Sequence, residues 1–555
     1  MRPGLSLALL PFVLLGGCAT TGGGGTPAPA PGPQISLQTL QRVTQTLSSD
    51  EFQGRAPGTE GETRTVEFLA REFQRAGLQP GNGGSWYQDV PLVEITLQGS
   101  PVLHVTGPNN TNLNFAYRTD YIGASYRAQP HVEVNNSDLV FVGYGINAPE
   151  AGWNDYAGVD VRGKTVVILI NDPDWQSQAL EGPFNGRAMT YYGRWTYKFE
   201  EAARQGAAAA LIVHDTAPAS YGWPTVENSW SGPQLYMQSA NGGADQTAMN
   251  GWLQNAAARR LLASAGYDLD ALQRSAREPG FRAVPLTGLK ASVALDNTMR
   301  NTASRNVIGI LPGRTRPNEF VLYTAHWDHL GVCAETGADR ICNGAVDNAS
   351  GSSALVALAE AQARAGRPDR SLVFLAVTAE ESGLLGSAYY AAHPIFPLNR
   401  TAGGFNMDSL NLAGAARDFV SIGGGKSELD AWLQRAAARN NVRVSPEPTP
   451  EAGYYFRSDQ FSLAKMGVPM LYGRGGEDLV NGGPEAGRAA AQDYRTNRYH
   501  QVGDEYNPSW DWAGALTDVR IYYDVGRALA MSTEWPNWYP NDAFRAIRDR
   551  SRAGQ

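Results

Sequence analysis

Cysteine is scarce in this chain, with three residues in 555, too few for a disulfide framework to carry the fold. Charge is modest as well: 18% of residues are charged and 42% hydrophobic, the balance of an ordinary folded protein and not of a disordered one. The acidic excess, 54 Asp and Glu against 46 Lys and Arg for a net charge of -8, argues against a nucleic-acid-binding surface. Past the N-terminal segment, no run approaches the ~20 apolar residues of a membrane span. Histidine is rare too, seven in all, so a histidine that falls into a pattern carries weight.

The amino terminus stands apart. Arg2 precedes a largely apolar run from Leu5 to Leu15, which ends in Leu15-Gly16-Gly17-Cys18. Residues 1–18 are expected to be a lipoprotein signal peptide with Cys18 as the lipidated residue; a plain signal peptide with an incidental Cys18 is the alternative. Residues 19–34, rich in Gly, Thr and Pro, read as a flexible tether to the membrane. Secretion across the bacterial inner membrane follows, and Ala19, which is not an inner-membrane retention signal, leans towards an outer-membrane anchor facing the periplasm. Cys333 and Cys342 share one loop. In an oxidising compartment a disulfide between them is expected, with a metal-binding pair as the rival reading.

The chain is too long for one core, and two globular domains are expected. A helical pattern opens residues 36–92, and an amphipathic helix follows from about Glu60 to Gly77 with Val66, Phe68, Leu69 and Phe73 as its apolar stripe. Residues 93–294 change character to short β-type runs (Leu139 to Val142, Thr165 to Ile170, Ala208 to Val213) around a helix at Lys198 to Gln205. Residues 295–540 alternate strand and helix, as a parallel-rich sheet requires. The pattern predicts an α/β fold: a mixed, mostly parallel sheet flanked by helices, interrupted by a β-rich insert.

Chemistry collects where predicted strands run out. Phe320 to Ala325 lead into His326, Ser371 to Thr378 into Glu380 and Glu381, and Gly403 to Met407 into Asp408. Open α/β sheets gather their sites at the carboxyl ends of strands, so these side chains can converge. With Asp347 and His500 they have the residue types of a ligand set for two zinc ions, which points to a hydrolase. Asp328, two residues past His326, is expected on extended backbone to hold the far imidazole nitrogen. Asp347, on a glycine-flanked turn before the helix Ser352 to Ala365, is the candidate bridging carboxylate; an N-cap is its plainer reading. Of the adjacent glutamates, one can bind metal while the other faces the attacking water.

Residues 320–510 resemble the co-catalytic di-zinc aminopeptidases of metallopeptidase family 28. The matching pieces are His326-x-Asp328, Asn343 to Gly351, Glu380-Glu381-Ser-Gly-Leu-Leu-Gly386-Ser, Asn406-Met-Asp408, a variant Ser458-Asp459-Gln460-Phe461, and Tyr499-His500-x-x-x-Asp504. The stretch Asp50 to Thr59 is similar to an N-terminal segment of the same family, and the insert resembles a protease-associated domain. The resemblance implies a zinc exopeptidase fold, with residues 36–92 and 295–540 as the catalytic domain. It implies one zinc on His326 and Asp408, the other on Glu381 and His500, Asp347 bridging, Glu380 as general base, and Asp328 and Asp504 behind the ligands. Tyr499 is a candidate donor to the tetrahedral oxyanion, with packing the alternative. Other divalent transition metals suit the same ligands. Gln460 departs from the histidine that many relatives carry, and Tyr454, Tyr455 and Phe456 read either as an apolar specificity pocket or as core.

The leading expectation is an aminopeptidase acting on peptides and tethered to a membrane by its lipidated N-terminus. Alternatives are a glutamate-carboxypeptidase-like enzyme or dipeptidase, a single-zinc acyltransferase of the glutaminyl-cyclase type, and a catalytically silent peptide-binding lipoprotein.

Overall fold

The computed structural model describes Met1 and residues 34–334 and 336–554. Residues 2–33, with Cys18 and most of the expected signal peptide and tether, lie outside the described residues. Among the described residues no helix is long and apolar enough to cross a membrane.

Four parallel neighbours form the centre of the main sheet: Arg370–Val377, Arg316–His326, Thr401–Asn406 and Met470–Gly475. Antiparallel strands extend it on both sides, Val284–Leu311 beyond the first and Asp418–Ser421 beyond the last. These central strands are apolar almost throughout because both faces are covered. Val321, Tyr323 and Ala325 point into a core shared with the helices Leu37–Leu47, Glu60–Arg75, Gly351–Arg364 and Ala513–Met531, while Phe320 and Leu322 point into a second core with Tyr390, Ala391 and Leu463. Each such side chain, fully buried, contributes ~1.5–3 kcal/mol. The helix Glu60–Arg75 starts where Thr59 accepts from the Glu62 amide and Glu62 reaches back to the Gly58 amide at 2.6 Å, a reciprocal cap, and its Val66, Leu69 and Phe73 stripe lies in the first core.

The insert has its own core, built on Leu103, Phe141, Val167, Leu211 and Leu253 among others. Its sheet is mixed: Met249–Gln254, Ala209–His214, Thr165–Leu169 and His131–Phe141 run parallel, and helices Trp195–Arg204, Asn255–Ser264 and Leu269–Ala276 accompany them. The insert is therefore richer in helix than its short β-type runs suggested. One strand, Val284–Leu311, serves both sheets: Val284 to Asp296 pair with the insert, Asn297 to Val307 with Tyr87–Leu97, and Val307 to Leu311 with the central sheet. The boundary expected at residue 294 thus falls inside a continuous strand. The insert's Pro233–Met237 also adds to the edge of the main sheet against Leu92 to Thr96. At the other end the main fold runs past residue 540, since the helix Arg545–Arg552 packs back with Arg548 donating to the Thr401 carbonyl at 2.9 Å.

Packing on the helix Ala513–Met531 leaves no space at Gly526, where a Cβ would lie 1.8 Å from the Tyr323 hydroxyl oxygen. Gly526→Ala is expected to lower stability by about 1–3 kcal/mol, although alanine favours a helix over glycine by ~1 kcal/mol. A calorimetric melting midpoint at or above that of the parent would refute this packing account.

Candidate metal centre

The predicted residues converge at the carboxyl ends of the parallel strands. His326 closes its strand, with Nε2 3.2 Å from Asp347 Oδ1 and 3.6 Å from Asp408 Oδ1. On the other side of Asp347, His500 Nε2 lies 3.3 Å from Oδ2 and 3.0 Å from Glu381 Oε2. The two oxygens of one carboxylate thus face two different imidazoles. Candidate ligand atoms gather into two groups, His326 with Asp347 and Asp408, and His329 with Asp347 and Glu381.

His329 is the member that sequence reasoning missed. Its Nδ1 is 2.7 Å from Glu381 Oε1, and its ring meets that of His500 at a centroid distance of 5.7 Å. The signal was present as the last residue of His326-Trp327-Asp328-His329, three positions beyond a residue already singled out.

Residues behind the ligands hold them through the main chain. Asp504 is fully buried and accepts the amides of Val346 at 3.0 Å and Asp347 at 3.1 Å, fixing the turn that presents Asp347. Asp328 faces the far imidazole nitrogen of His326, with its carboxylate Oδ1 3.7 Å and its carbonyl oxygen 3.2 Å from Nδ1. The same carboxylate also accepts the amides of Glu380 at 3.1 Å and Glu381 at 3.3 Å, a role its spacing did not suggest. Ser458 Oγ donates to Asp408 Oδ2 at 2.7 Å. Gln460 is bound between Asn406 and the Tyr455 carbonyl and serves as an internal connector. Tyr455 and Phe456 are core, packed with Phe461, Trp538 and Phe544, whereas Tyr454 is exposed. Tyr499 is 45% exposed and stacks on the His500 ring at 3.8 Å.

Arg55 ties these loops together. It is fully buried, and its guanidinium donates to four carbonyls: Trp327 (2.7 Å), Leu47 (2.7 Å), Asn343 (2.6 Å) and Gly344 (2.9 Å). Burial lowers its pKa to about 10, resisted by the nearby charges of Asp504, Asp328, Asp347 and Glu381. The Cys333–Cys342 disulfide closes a small hairpin, Gly331–Val332 with Ile341–Cys342, whose backbone packs on Gly54 beside this arginine.

The donor set fits metal. Nε2 of His326, His329 and His500 are each buried with no hydrogen-bond partner, while carboxylate oxygens stand around them. Such orphaned nitrogens are costly unless a cation takes their lone pairs. Without a cation, protons balance the carboxylates. Burial opposes a charge on His500, yet Glu381 and Asp347 push its pKa up to about 10. Burial likewise opposes a charge on His326, but Glu380 and the carboxylates of Asp328, Asp347 and Asp408 raise it well above the usual range. Asp347, which burial alone would raise, is held well below it by His326 and His500. Glu380 is pushed well up, first by burial and then by Glu381, Asp408 and Asp459, with His326 opposing.

Imidazoles and carboxylates set together at the ends of parallel strands are the donor types that hydrolytic metal sites use. Residues 306–523 match the family model described as Peptidase family M28, and this segment is an M28 peptidase domain, of a family of co-catalytic zinc metallopeptidases. Among curated relatives, the chain is 30% identical over 127 residues to Aminopeptidase NAALADL1 of Mus musculus, covering 22% of this chain and 16% of that protein. It is 33% identical over 130 residues to Aminopeptidase YwaD of Bacillus subtilis, covering 23% of this chain and 26% of that one. The matches thus span about a quarter or less of the relatives' length. Among solved structures, an aminopeptidase from Aneurinibacillus sp. strain AM-1 superposes with a TM-score of 0.48 at 19% identity, over 88% of this chain and 93% of that one.

Two outcomes are expected. His500, raised to about 10 from an ordinary ~6.5, stabilises the metal-free protein below pH ~6.5, and that contribution is lost as pH rises towards its folded pKa. The metal-free melting midpoint should fall across this window and the zinc-loaded one should not, and zinc titration at neutral pH should release protons; a flat metal-free profile would count against the assignment. Arg55→Ala leaves four buried carbonyls without a donor and should cost more than about 3 kcal/mol of stability and weaken zinc affinity by at least about tenfold. Parent-like zinc affinity in a competition titration would show that the arginine does not organise the ligand loops.

Proposed function

We propose that the chain is a zinc-dependent aminopeptidase that hydrolyses N-terminal residues from peptides at a two-zinc site, with Glu380 as general base. One observation carries this reading: the Asp347 carboxylate turns its two oxygens towards separate imidazole and carboxylate sets. His326, Asp408 and Asp347 would hold one zinc, and Glu381, His500 and Asp347 the other, with His329 supporting Glu381 from the side. Bound zinc would supply Lewis acidity to polarise a peptide carbonyl and acidify water.

The protein's own residues supply the rest. Glu380 takes the water's proton on a carboxylate oxygen and delivers it to the leaving amine. Its backbone is fixed by Asp328, so the carboxylate keeps its aim between ligand loops. An upward-shifted pKa suits that role, because a base works best when its pKa lies near the working pH. Tyr499, stacked over His500 at the mouth of the site, has its hydroxyl available to donate to the tetrahedral oxygen. The names of the mouse and Bacillus relatives support the choice of aminopeptidase.

Glu380→Gln should lower kcat on aminoacyl-anilides by at least about a hundredfold, with zinc content unchanged. Chelation should abolish the parent's activity and zinc restore it. Cleavage of N-blocked peptides but not of unblocked ones would overturn the aminopeptidase reading, and chelator-insensitive activity would overturn the metal site.

A further inference from the structure

The helix that leads into His500, Gly483–Asn497, has one buried residue in fifteen. Its sequence, Gly-Pro-Glu-Ala-Gly-Arg-Ala-Ala-Ala-Gln-Asp-Tyr-Arg-Thr-Asn, offers no apolar stripe. The buried residue is Gly487, where a Cβ would lie 2.0 Å from the Glu477 carbonyl oxygen. A helix of this length ordinarily draws its stability from an apolar face packed on the body, and this one has little to draw on. Among the described residues, its side chains make hydrogen bonds with one another and with Arg498 just beyond its end, with a single exception.

The exception is Tyr494. Its hydroxyl donates to Asp504 Oδ2 at 3.2 Å, the same oxygen that accepts the Asp347 amide at 3.1 Å. Its carbonyl accepts the amides of Arg498 at 3.0 Å and Tyr499 at 2.9 Å, and its ring meets the Tyr499 ring edge-on at 6.1 Å, while Tyr499 stacks on His500. The hydroxyl bond therefore ties off the loop 495–503 at its base, with His500 inside that loop. His500 needs such a tie. Its side chain is 34% exposed, against 15% or less for His326, Asp347, Glu381 and Asp408. Its backbone stands at φ +58°, a conformation that a residue with a side chain keeps only where its surroundings impose it. The Asp347 turn has other anchors, since Asp504 also accepts the Val346 amide and Arg55 holds the Asn343 and Gly344 carbonyls. Loss of the Tyr494 hydroxyl would thus release the His500 side of the site and leave the turn in place.

We infer that Tyr494 is a positioning residue: by closing the loop 495–503 against Asp504 it holds His500 beside Glu381 and Asp347, and so sets how tightly that half of the site keeps a divalent metal ion. The consequence for metal affinity rests on the two-zinc reading; the positioning itself does not. A partner that fixes a metal ligand from behind accounts for ~10- to 100-fold in metal affinity. His326 and Asp408 are presented from the ends of the strands Arg316–His326 and Thr401–Asn406, which owe nothing to this loop, so the effect falls on one half of the site.

The test compares the full-length parent with Tyr494→Phe, which removes the hydroxyl and keeps the ring, and with Arg488→Gln, an exposed change on the same helix. In metal-free protein, hydrogen exchange at the bonded amides of Arg498, Tyr499 and Gln501 should quicken about tenfold or more in Tyr494→Phe, the scale of one hydrogen bond to a charged group. The Val346 and Asp347 amides should exchange as in the parent, and so should every amide of this set in Arg488→Gln. Zinc titration of the parent should show two ions; in Tyr494→Phe the affinity for one should fall about tenfold or more and for the other stay within about twofold. Placed on His500→Ala, which lacks that half of the site, Tyr494→Phe should have no further effect on the zinc that remains. Parent-like exchange in the loop, an equal loss at both zinc ions, or the same losses in Arg488→Gln would overturn the proposal. A parent that binds fewer than two zinc ions would overturn the two-zinc reading instead, and the exchange rates then decide the positioning.

Discussion

Mutual repulsion among buried carboxylates is the constraint around which this structure is built. Asp328, Asp347, Glu380, Glu381, Asp408 and Asp504 crowd into one region with three imidazoles, and in a low-dielectric setting such a cluster disperses unless each acid is tied down. The ties run through the main chain. Asp504 takes two amides of the Asp347 turn and Asp328 takes the amides of both glutamates, so two acids hold the loops that present three others. Arg55 supplies a cation within the same region, spending its donors on carbonyls so that no acid is drawn out of the ligand set. The parallel strands beneath provide rigid stems. Sheet, turns and arginine therefore serve one electrostatic end.

What was legible in the sequence follows from what is local. Apolar runs ending at His326, at Glu380 and at Asp408 identified strand ends, and those strands are present within a few residues of the expected bounds. Tertiary contact was not legible. Arg55 lies in a stretch whose family likeness could be seen, but its bonds to Trp327 and Asn343 join positions more than 270 residues apart, and no periodicity reports them. The second task of Asp328, holding the amides of Glu380 and Glu381, could not be read from its spacing to His326. His329 was passed over for a related reason, since the chain changes direction there. Among the aromatics at 454–456, composition alone left core and pocket equal, and only packing separates buried Tyr455 and Phe456 from exposed Tyr454.

The insert raises a different point about how activity is distributed over the chain. Its core is separate from that of the M28 domain, yet it contributes an edge strand to the main sheet and an ion pair between Arg187 and Glu451. Tyr191 reaches across as well, its ring 5.1 Å from that of Phe461. The insert thus bears directly on the surface beside the ligand loops.

The strand Val284–Leu311 gives this joint its mechanical character. Where two bodies are linked by loops they open like a book, but here a hydrogen-bonded beam passes from one sheet into the other and is flanked along its middle by Tyr87–Leu97. Swinging the insert away from the main sheet would therefore break backbone hydrogen bonds along this strand, and not merely reorder a loop.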